Sequence, residues 1–136
     1  MKYFLEIYCR LPRAGPGSYA CTRRAYDMMS DLPECPRILD IGCGPGVQTI
    51  DLLNISGGEV VALDFLPLMV QRTKASAEDA NVSDRLEVLE QDMQQMTFAP
   101  ASFDVICLGY QQVGHFILPE DAWTADYYDP MESMIA

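Results

Sequence analysis

The stretch ILDIGCGPG, from Ile38 to Gly46, constrains the fold of this chain more than any other part of the sequence. A short apolar run with Asp40 inside it leads directly into glycines at alternate positions, Gly42, Gly44 and Gly46. An apolar run that ends in a glycine-rich turn is typical of a buried parallel strand that feeds a helix. Glycine lets a ligand approach the main chain closely, and the N–H groups at the start of a helix attract polar or anionic groups. The alternative is a tight turn without a ligand, but such a turn rarely needs three glycines and a nearby acid.

Length and composition favour one domain with a packed core. The chain has 136 residues, of which 49% are hydrophobic. No apolar run reaches the roughly 18 residues of a membrane-spanning helix, and the N-terminus lacks the cleavage pattern of a signal peptide. We therefore expect a cytoplasmic protein with no membrane partner. The five cysteines are scattered and form no C-x-x-C pair, so neither a disulfide framework nor a metal site is predicted.

The charge of the chain argues against one class of partner. The formal net charge is −11, and no lysine or arginine follows Arg85, although nine acidic residues do. An acidic surface of this kind repels a phosphate backbone, so we expect no nucleic-acid partner.

Apolar runs and turn residues divide the chain into alternating strands and helices. Ser18 is a good N-cap for the first long helix, and a glycine pair ends the helix after the glycine-rich turn. The predicted elements are a short helix at 3–9, a helix at 19–31, a strand at 37–41, a helix at 47–54, a strand at 59–64, a helix at 67–80, and strands at 85–92 and 102–109. This order predicts an α/β fold with a parallel sheet.

Three acids lie at or near the carboxyl ends of successive predicted strands: Asp40, Asp64 and Asp92. In an open parallel sheet, ligands bind beyond these ends, near the point where the strand order reverses. The acids and the glycine-rich turn are therefore expected to converge on one crevice. Asp64 ends the second strand, where an acid can accept hydrogen bonds from the ribose hydroxyls of a nucleoside.

The turn itself narrows the choice of nucleoside ligand. A P-loop is excluded because no Gly-Lys-Ser/Thr follows it. The dinucleotide fingerprint requires glycine where this chain has Val47, and it gives no role to Asp40. An NAD-dependent oxidoreductase is therefore the weaker alternative.

These stretches resemble class I S-adenosylmethionine-dependent methyltransferases. DIGCGPG at 40–46 looks like their first motif, VVALDF at 60–65 their second and EQDM at 90–93 their third. SFDVI at 102–106 is similar to the strand that follows. The resemblance implies a Rossmann-like parallel sheet, and it implies S-adenosyl-L-methionine as the cofactor.

A subgroup of small bacterial and archaeal methyltransferase-domain proteins is similar over more of the chain. LPRAGPGS at 11–18 resembles a loop before their first helix, and the segments at 109–123 and 127–130 resemble their far end. In that subgroup the strand matching SFDVI continues into further helices and strands. Here Cys107 and Leu108 lead straight into GYQQVGHF, so the resemblance implies an incomplete class I sheet. The single domain, 1–136, then divides into a helical cap and loop at 1–36, a cofactor-binding core at 37–108 and a tail at 109–136.

The resemblance also assigns roles to individual residues. The implied contacts are Gly42, Cys43, Gly44 and Gly46 for the methionine part of the cofactor, Asp40 for its amino group, Asp64 for the ribose, and Phe65, Asp92 and Met93 for the adenine. The implied reaction is methyl transfer to an unidentified small-molecule acceptor, and no catalytic residue is assigned. The alternative is a non-catalytic cofactor-binding or interaction module, because the segment expected to touch the acceptor is missing.

Three further expectations concern the ends of the chain. The strand near 103–108 would lie at an outer position of the sheet, and an unprotected apolar edge favours pairing with another copy, so a homo-oligomer is expected. His115, the single histidine, has no acid placed beside it by the sequence, so a structural or partly exposed role is favoured over that of a base. Arg13 is either an exposed loop residue or a ligand for the cofactor carboxylate or for an anionic substrate.

Overall fold

A computed structural model describes residues 6, 7 and 10–108, and its centre is a four-stranded parallel sheet. The strands are β1 (Arg37–Ile41), β2 (Glu59–Asp64), β3 (Leu86–Glu90) and β4 (Val105–Leu108), arranged in the order β3-β2-β1-β4. The predicted α/β fold with a Rossmann-like parallel sheet is confirmed. The predicted bounds of β1 and β2 are correct, whereas β3 and β4 are shorter than expected. Most of the helix predicted at 3–9, and everything predicted for 109–136, including His115, lies outside the described residues.

Between residues 10 and 108, three α-helices precede or connect these strands. They are α1 (Tyr19–Asp27), α2 (Val47–Ser56) and α3 (Pro67–Asp79), and short 3-10 turns cover Ser83–Arg85 and Met93–Gln95. Within the part of the chain that the structure describes, no helix is long and apolar enough to cross a membrane.

The predicted N-cap of α1 is correct, and its predicted end is wrong. The side chain of Ser18 accepts a hydrogen bond from the backbone N–H of Cys21 at 3.4 Å. The helix stops at Asp27 instead of continuing to residue 31, because the next N–H groups bond to carbonyls three residues back and Asp31 has a left-handed φ of 62°. A left-handed residue cannot continue a right-handed helix.

The two faces of the sheet are covered differently. One face is covered by helices, and its core contains Ile38, Val60 and Ala62 of the sheet with Leu52, Leu53 and Ala77 of α2 and α3. The other face is covered by the irregular segment between β3 and β4. There the rings of Phe98 and Phe103 meet edge to face with centroids 5.1 Å apart. Because β1 and β2 are buried on both faces, they read as continuous apolar runs.

The strand order places the sheet's reversal point between β1 and β4. The chain builds β1, β2 and β3 outward in one direction and then returns to the other side of β1. Two hydrogen bonds fix β4 at this position: the N–H of Arg37 donates to the Asp104 carboxylate at 2.7 Å, and the N–H of Asp104 donates to the Arg37 carbonyl at 2.8 Å. A ligand crevice is expected at the carboxyl ends of the strands around this point.

Candidate functional site

The glycine-rich turn after β1 bends over the carboxyl end of β2. The N–H groups of Gly42 and Cys43 both donate to the carbonyl of Leu63, at 2.8 and 3.0 Å. Gly42, Gly44 and Gly46 all have positive φ angles, of 72°, 55° and 84°. Residues with a Cβ rarely adopt these angles, so the alternating glycines are required by the path of the backbone.

Asp64 joins the end of β2 to this turn. Its side chain is buried, and its Oδ2 accepts a hydrogen bond from the N–H of Gly44 at 3.0 Å, while Oδ1 accepts one from the N–H of Leu66 at 2.9 Å. Burial raises the pKa of this carboxyl, and the backbone N–H donors oppose that shift. A carboxylate has about four acceptor positions, more than the backbone donors Gly44, Leu66 and Phe65 occupy, so it retains capacity for a further donor.

Asp40 lies deeper, in the middle of the buried strand β1. It is 1% exposed, and its Oδ2 accepts a hydrogen bond from the hydroxyl of Thr49 at 2.6 Å. Burial raises the pKa of Asp40 to about 6, the hydrogen bond from Thr49 lowers it, and the negative charge of Asp64 raises it further. Side chains two positions apart in a strand share a face. Asp40 comes two positions after Ile38, and Asp64 two positions after Ala62, and both of these apolar residues pack on the helix-covered face. The structure therefore brings the two predicted acids to the same side of the sheet.

Two cysteines lie close to Asp40. Cys43 belongs to the turn, and Cys107 of β4 is paired in register with Asp40 and accepts a hydrogen bond from the side chain of Gln48. Burial, followed by the charge of Asp40, raises the pKa of each thiol to about 12. Both thiols therefore stay protonated at neutral pH, and neither is suited to act as a nucleophile.

The third predicted acid, Asp92, is in a different environment. It is exposed, and its carboxylate accepts a hydrogen bond from the N–H of Gln94 at 2.9 Å, which caps the 3-10 turn that begins at Met93. The backbone runs close to β2, since the N–H of Gln91 donates to the carbonyl of Asp64 at 3.1 Å. The structure thus places Asp92 near the end of β2. The partner described for its carboxylate, Gln94, differs from the partners of Asp40 and Asp64.

The remaining predicted contacts border this region from two sides. Phe65, directly after β2, leaves 58% of its surface exposed. Met93 is half-buried and packs against the core on the face away from the helices. Arg13 is not the exposed loop residue that was one of its alternatives, because its guanidinium pairs with Asp51 of α2 at 2.6 Å and only 22% of the side chain is exposed.

Sequence reasoning missed the hydroxyls that support the turn. Thr49 of α2 bonds Asp40, as described above, and the hydroxyl of Thr73 on α3 donates to the carbonyl of Gly44 at 2.8 Å. The available signal was a polar residue inside a buried helical stripe. In α3 that stripe consists of Met69, Val70, Thr73 and Ala77.

Comparison with known families agrees with this geometry. The profile of a family described as a methyltransferase domain matches residues 38–128, about two thirds of the chain. The chain belongs to this family, and it is therefore a member of the class I S-adenosylmethionine-dependent methyltransferases.

Individual relatives cover this chain well but are themselves longer. The chain is 30% identical over 101 residues to the sterol 24-C-methyltransferase of Pneumocystis carinii, a match that covers 73% of this chain and 27% of that protein. It is 29% identical over 83 residues to the ribosomal protein L11 methyltransferase of Gloeobacter violaceus, covering 61% of this chain and 26% of that protein.

A solved structure shows the same fold. It is an S-adenosylmethionine-dependent methyltransferase from Geobacter sulfurreducens in complex with S-adenosyl-L-homocysteine, with a TM-score of 0.77 and 18% identity, covering 100% of this chain and 51% of that one. The chain therefore spans about a quarter of the length of the curated relatives and about half of this solved structure.

Proposed function

We propose that this chain binds S-adenosyl-L-methionine at the carboxyl ends of β1 and β2 and presents it for methyl transfer to a small-molecule acceptor. One observation carries the proposal: the buried carboxylate of Asp64 accepts the N–H of Gly44, so the acid and the glycine-rich turn form a single unit. A ligand with a ribose and an amino-acid end matches these two parts. The homocysteine form of this ligand is bound in the Geobacter sulfurreducens structure.

The residues present fit such a ligand. Asp64 has acceptor capacity beyond its backbone donors, which suits the ribose hydroxyls. The exposed ring of Phe65 offers a face for the adenine, with Asp92 and Met93 at its edge. Asp40 is 1% exposed and bonded to Thr49, so we expect it to favour the ligand's ammonium group by its charge and through water rather than by direct contact.

The cofactor would supply a methyl group activated on a positively charged sulfur. In an in-line transfer, the carbon–sulfur bond breaks as the acceptor's nucleophile bonds the methyl carbon. The chain's part is to bind and orient the cofactor, since such reactions depend largely on positioning. The negative charges of Asp40 and Asp64 would stabilise its cationic groups. No catalytic residue is assigned.

The acceptor is the least constrained part of the proposal. The names of the two curated relatives describe a sterol and a ribosomal protein as targets, so family membership alone does not select an acceptor. We favour a small molecule over nucleic acid because the formal net charge is −11. The cytoplasmic location expected from the sequence stays a prediction.

A second candidate function is a cofactor-binding module without transferase activity. It is favoured by the sequence after β4, where Leu108 leads straight into GYQQVGHF in place of the segment expected to touch the acceptor. Turnover of S-adenosyl-L-methionine in the presence of a panel of acceptors separates the two candidates, because only a transferase releases S-adenosyl-L-homocysteine.

Thermal unfolding in the presence of ligands tests the cofactor itself. A ligand that binds only the folded state stabilises it by about 2.7 kcal/mol at a hundredfold excess over Kd. We expect S-adenosyl-L-homocysteine to raise the melting temperature, and NAD at the same concentration to leave it unchanged. A flat response of folded protein to millimolar S-adenosyl-L-homocysteine would refute the cofactor assignment.

A further inference from the structure

The hydroxyl of Thr73 donates to the carbonyl of Gly44 at 2.8 Å, and the thiol of Cys43 makes a weaker contact with the same carbonyl at 3.8 Å. Thr73 is 0% exposed and lies in the buried stripe of α3, between Val70 and Ala77. A buried hydroxyl without a partner is costly. Here the partner of the Thr73 hydroxyl is the carbonyl of Gly44, at 2.8 Å. The sulfur of Cys43 lies 3.6 Å from the hydroxyl oxygen of Thr73.

Gly44 is held on both of its polar groups. Its N–H donates to Asp64 at 3.0 Å, and its carbonyl accepts from Thr73 at 2.8 Å. One turn farther along α3, the hydroxyl of Ser76 donates to the carbonyl of Pro45 at 3.3 Å. The peptide unit before Gly44 is therefore fixed by β2, and the peptide unit after it by α3.

α3 packs so closely against the turn that a side chain at position 46 would clash with it. A Cβ placed on Gly46 would lie 2.9 Å from the Cα, Cγ2 and Oγ1 atoms of Thr73. Gly44 and Gly46 are both buried, so water has no ready access to replace the threonine hydroxyl. Loss of that hydroxyl would leave the Gly44 carbonyl with only the weak thiol donor of Cys43 and would loosen the peptide unit that joins Gly44 to Pro45.

We propose that Thr73 is a positioning residue for the cofactor, a role that rests on the proposed function. Its hydroxyl fixes the Gly44 peptide, so that the turn keeps one shape against the amino-acid end of the ligand. Thr73 is not expected to touch the ligand. The ribose and adenine contacts depend on other residues, so the effect of Thr73 should be confined to one end of the ligand.

Two ligands that share the nucleoside test this role. S-adenosyl-L-homocysteine carries the amino-acid end, and 5′-methylthioadenosine lacks it. In calorimetry on the full chain, we expect Thr73→Val, which removes the hydroxyl and keeps the shape, to weaken S-adenosyl-L-homocysteine about tenfold, the effect of one lost buried hydrogen bond. Binding of 5′-methylthioadenosine should change less than about twofold by the same reasoning.

Matched variants separate positioning from general stability. Thr73→Ser keeps the hydroxyl and should bind both ligands like the wild type. Thr22→Val removes a hydroxyl from α1, where it bonds the carbonyl of Ser18, and should change neither affinity. If Thr73→Val does not fold, Thr73→Cys, which weakens the donor and retains a similar volume, should lower S-adenosyl-L-homocysteine affinity alone by about threefold.

The outcomes distinguish this inference from the proposed function. A wild type that binds neither ligand overturns both. A wild type that binds both ligands, with folded Thr73 variants that bind S-adenosyl-L-homocysteine normally or lose both ligands equally, overturns the positioning role and leaves the cofactor assignment intact.

Discussion

The inner strands β1 and β2 and the outer strands β3 and β4 differ in burial and in how the acids at or after their carboxyl ends are held. β1 and β2 are buried on both faces, and each carries a buried acid with defined partners, Asp40 with Thr49 and Asp64 with Gly44. β3 and β4 are largely half-buried, and the acid that follows β3, Asp92, is exposed. A binding site is effective when its polar groups are already oriented before the ligand arrives. The inner strands meet this condition, so they should account for most of the cofactor's binding energy.

The sharpest test of this comparison replaces one acid of each region by alanine and compares the loss of affinity. We expect Asp64→Ala to weaken S-adenosyl-L-homocysteine about a hundredfold, because a carboxylate that accepts two ribose hydroxyls makes charge-assisted bonds of about 1.5–3 kcal/mol each. Asp92→Ala should cost less than about threefold, since an exposed group contributes at most one solvated contact. Calorimetry on both variants measures the difference.

A companion variant is Asp64→Asn, which removes the charge and keeps one acceptor oxygen, enough for the N–H of Gly44 but not also for that of Leu66. Equal affinity of the wild type and a well-folded Asp64→Ala would break the comparison, because the inner acid would then contribute no more than the outer one.

A second effect of the inner acids is expected in the pH dependence of stability. The folded-state pKa of Asp40, about 6, lies above its ordinary value of 3.8, so between these pH values the folded chain keeps a proton that the unfolded chain has lost. The free energy of unfolding should therefore fall as pH rises through this window and level off above it. The full loss is at most about 3 kcal/mol.

Asp40→Asn removes this titration, so its stability should vary less between pH 4 and pH 6.5 than that of the wild type. Part of the slope should remain, because burial also raises the pKa of Asp64. Asp92→Asn, at the outer position, serves as the control and should follow the wild type. Denaturant unfolding at several pH values gives both curves; an unchanged slope in Asp40→Asn would show that another group titrates.

The smallest effect in free energy concerns the outer edge of β4. Within residues 10–108, no strand pairs with the side of β4 that faces away from β1. The homo-oligomer expected from the sequence stays a prediction, in which this edge pairs with a second copy. Light scattering across a size-exclusion peak should give a mass above that of one chain, 15.2 kDa, and a dilution series should lower it. A clean monomer at all concentrations would contradict this expectation.

The sequence predicted the inner strands better than the rest of the fold, for a physical reason. Burial on both faces gives an uninterrupted apolar run, and the flanking Pro36 and Gly58 mark where β1 and β2 begin. The cover on the second face was not predicted, because the segment containing Phe98 packs without secondary structure and so has no periodic pattern.

The residues of the candidate site also fall into two groups, those that the sequence could predict and those that it could not. Asp40, Asp64 and the glycines could be found because strand ends and left-handed turns leave local signals in sequence. Thr49 and Thr73 could not be assigned their partners, because those depend on how each helix is rotated against the strand ends, which is set by tertiary packing. Their only local trace is a hydroxyl within a buried stripe.

The pairing of β4 with β1 also has a consequence for chain entropy. The hydrogen bond between Arg37 and Asp104 joins residues 67 positions apart, roughly three times the separation between paired residues of β1 and β2. Closing the longer loop directly from the unfolded chain costs about 1 kcal/mol more. The ligand crevice expected at the reversal point therefore lies at one end of the strand pair with the greatest loop-closure cost in the described sheet. The bonds between Arg37 and Asp104 help to offset that cost at the opposite, amino-terminal end of the pair.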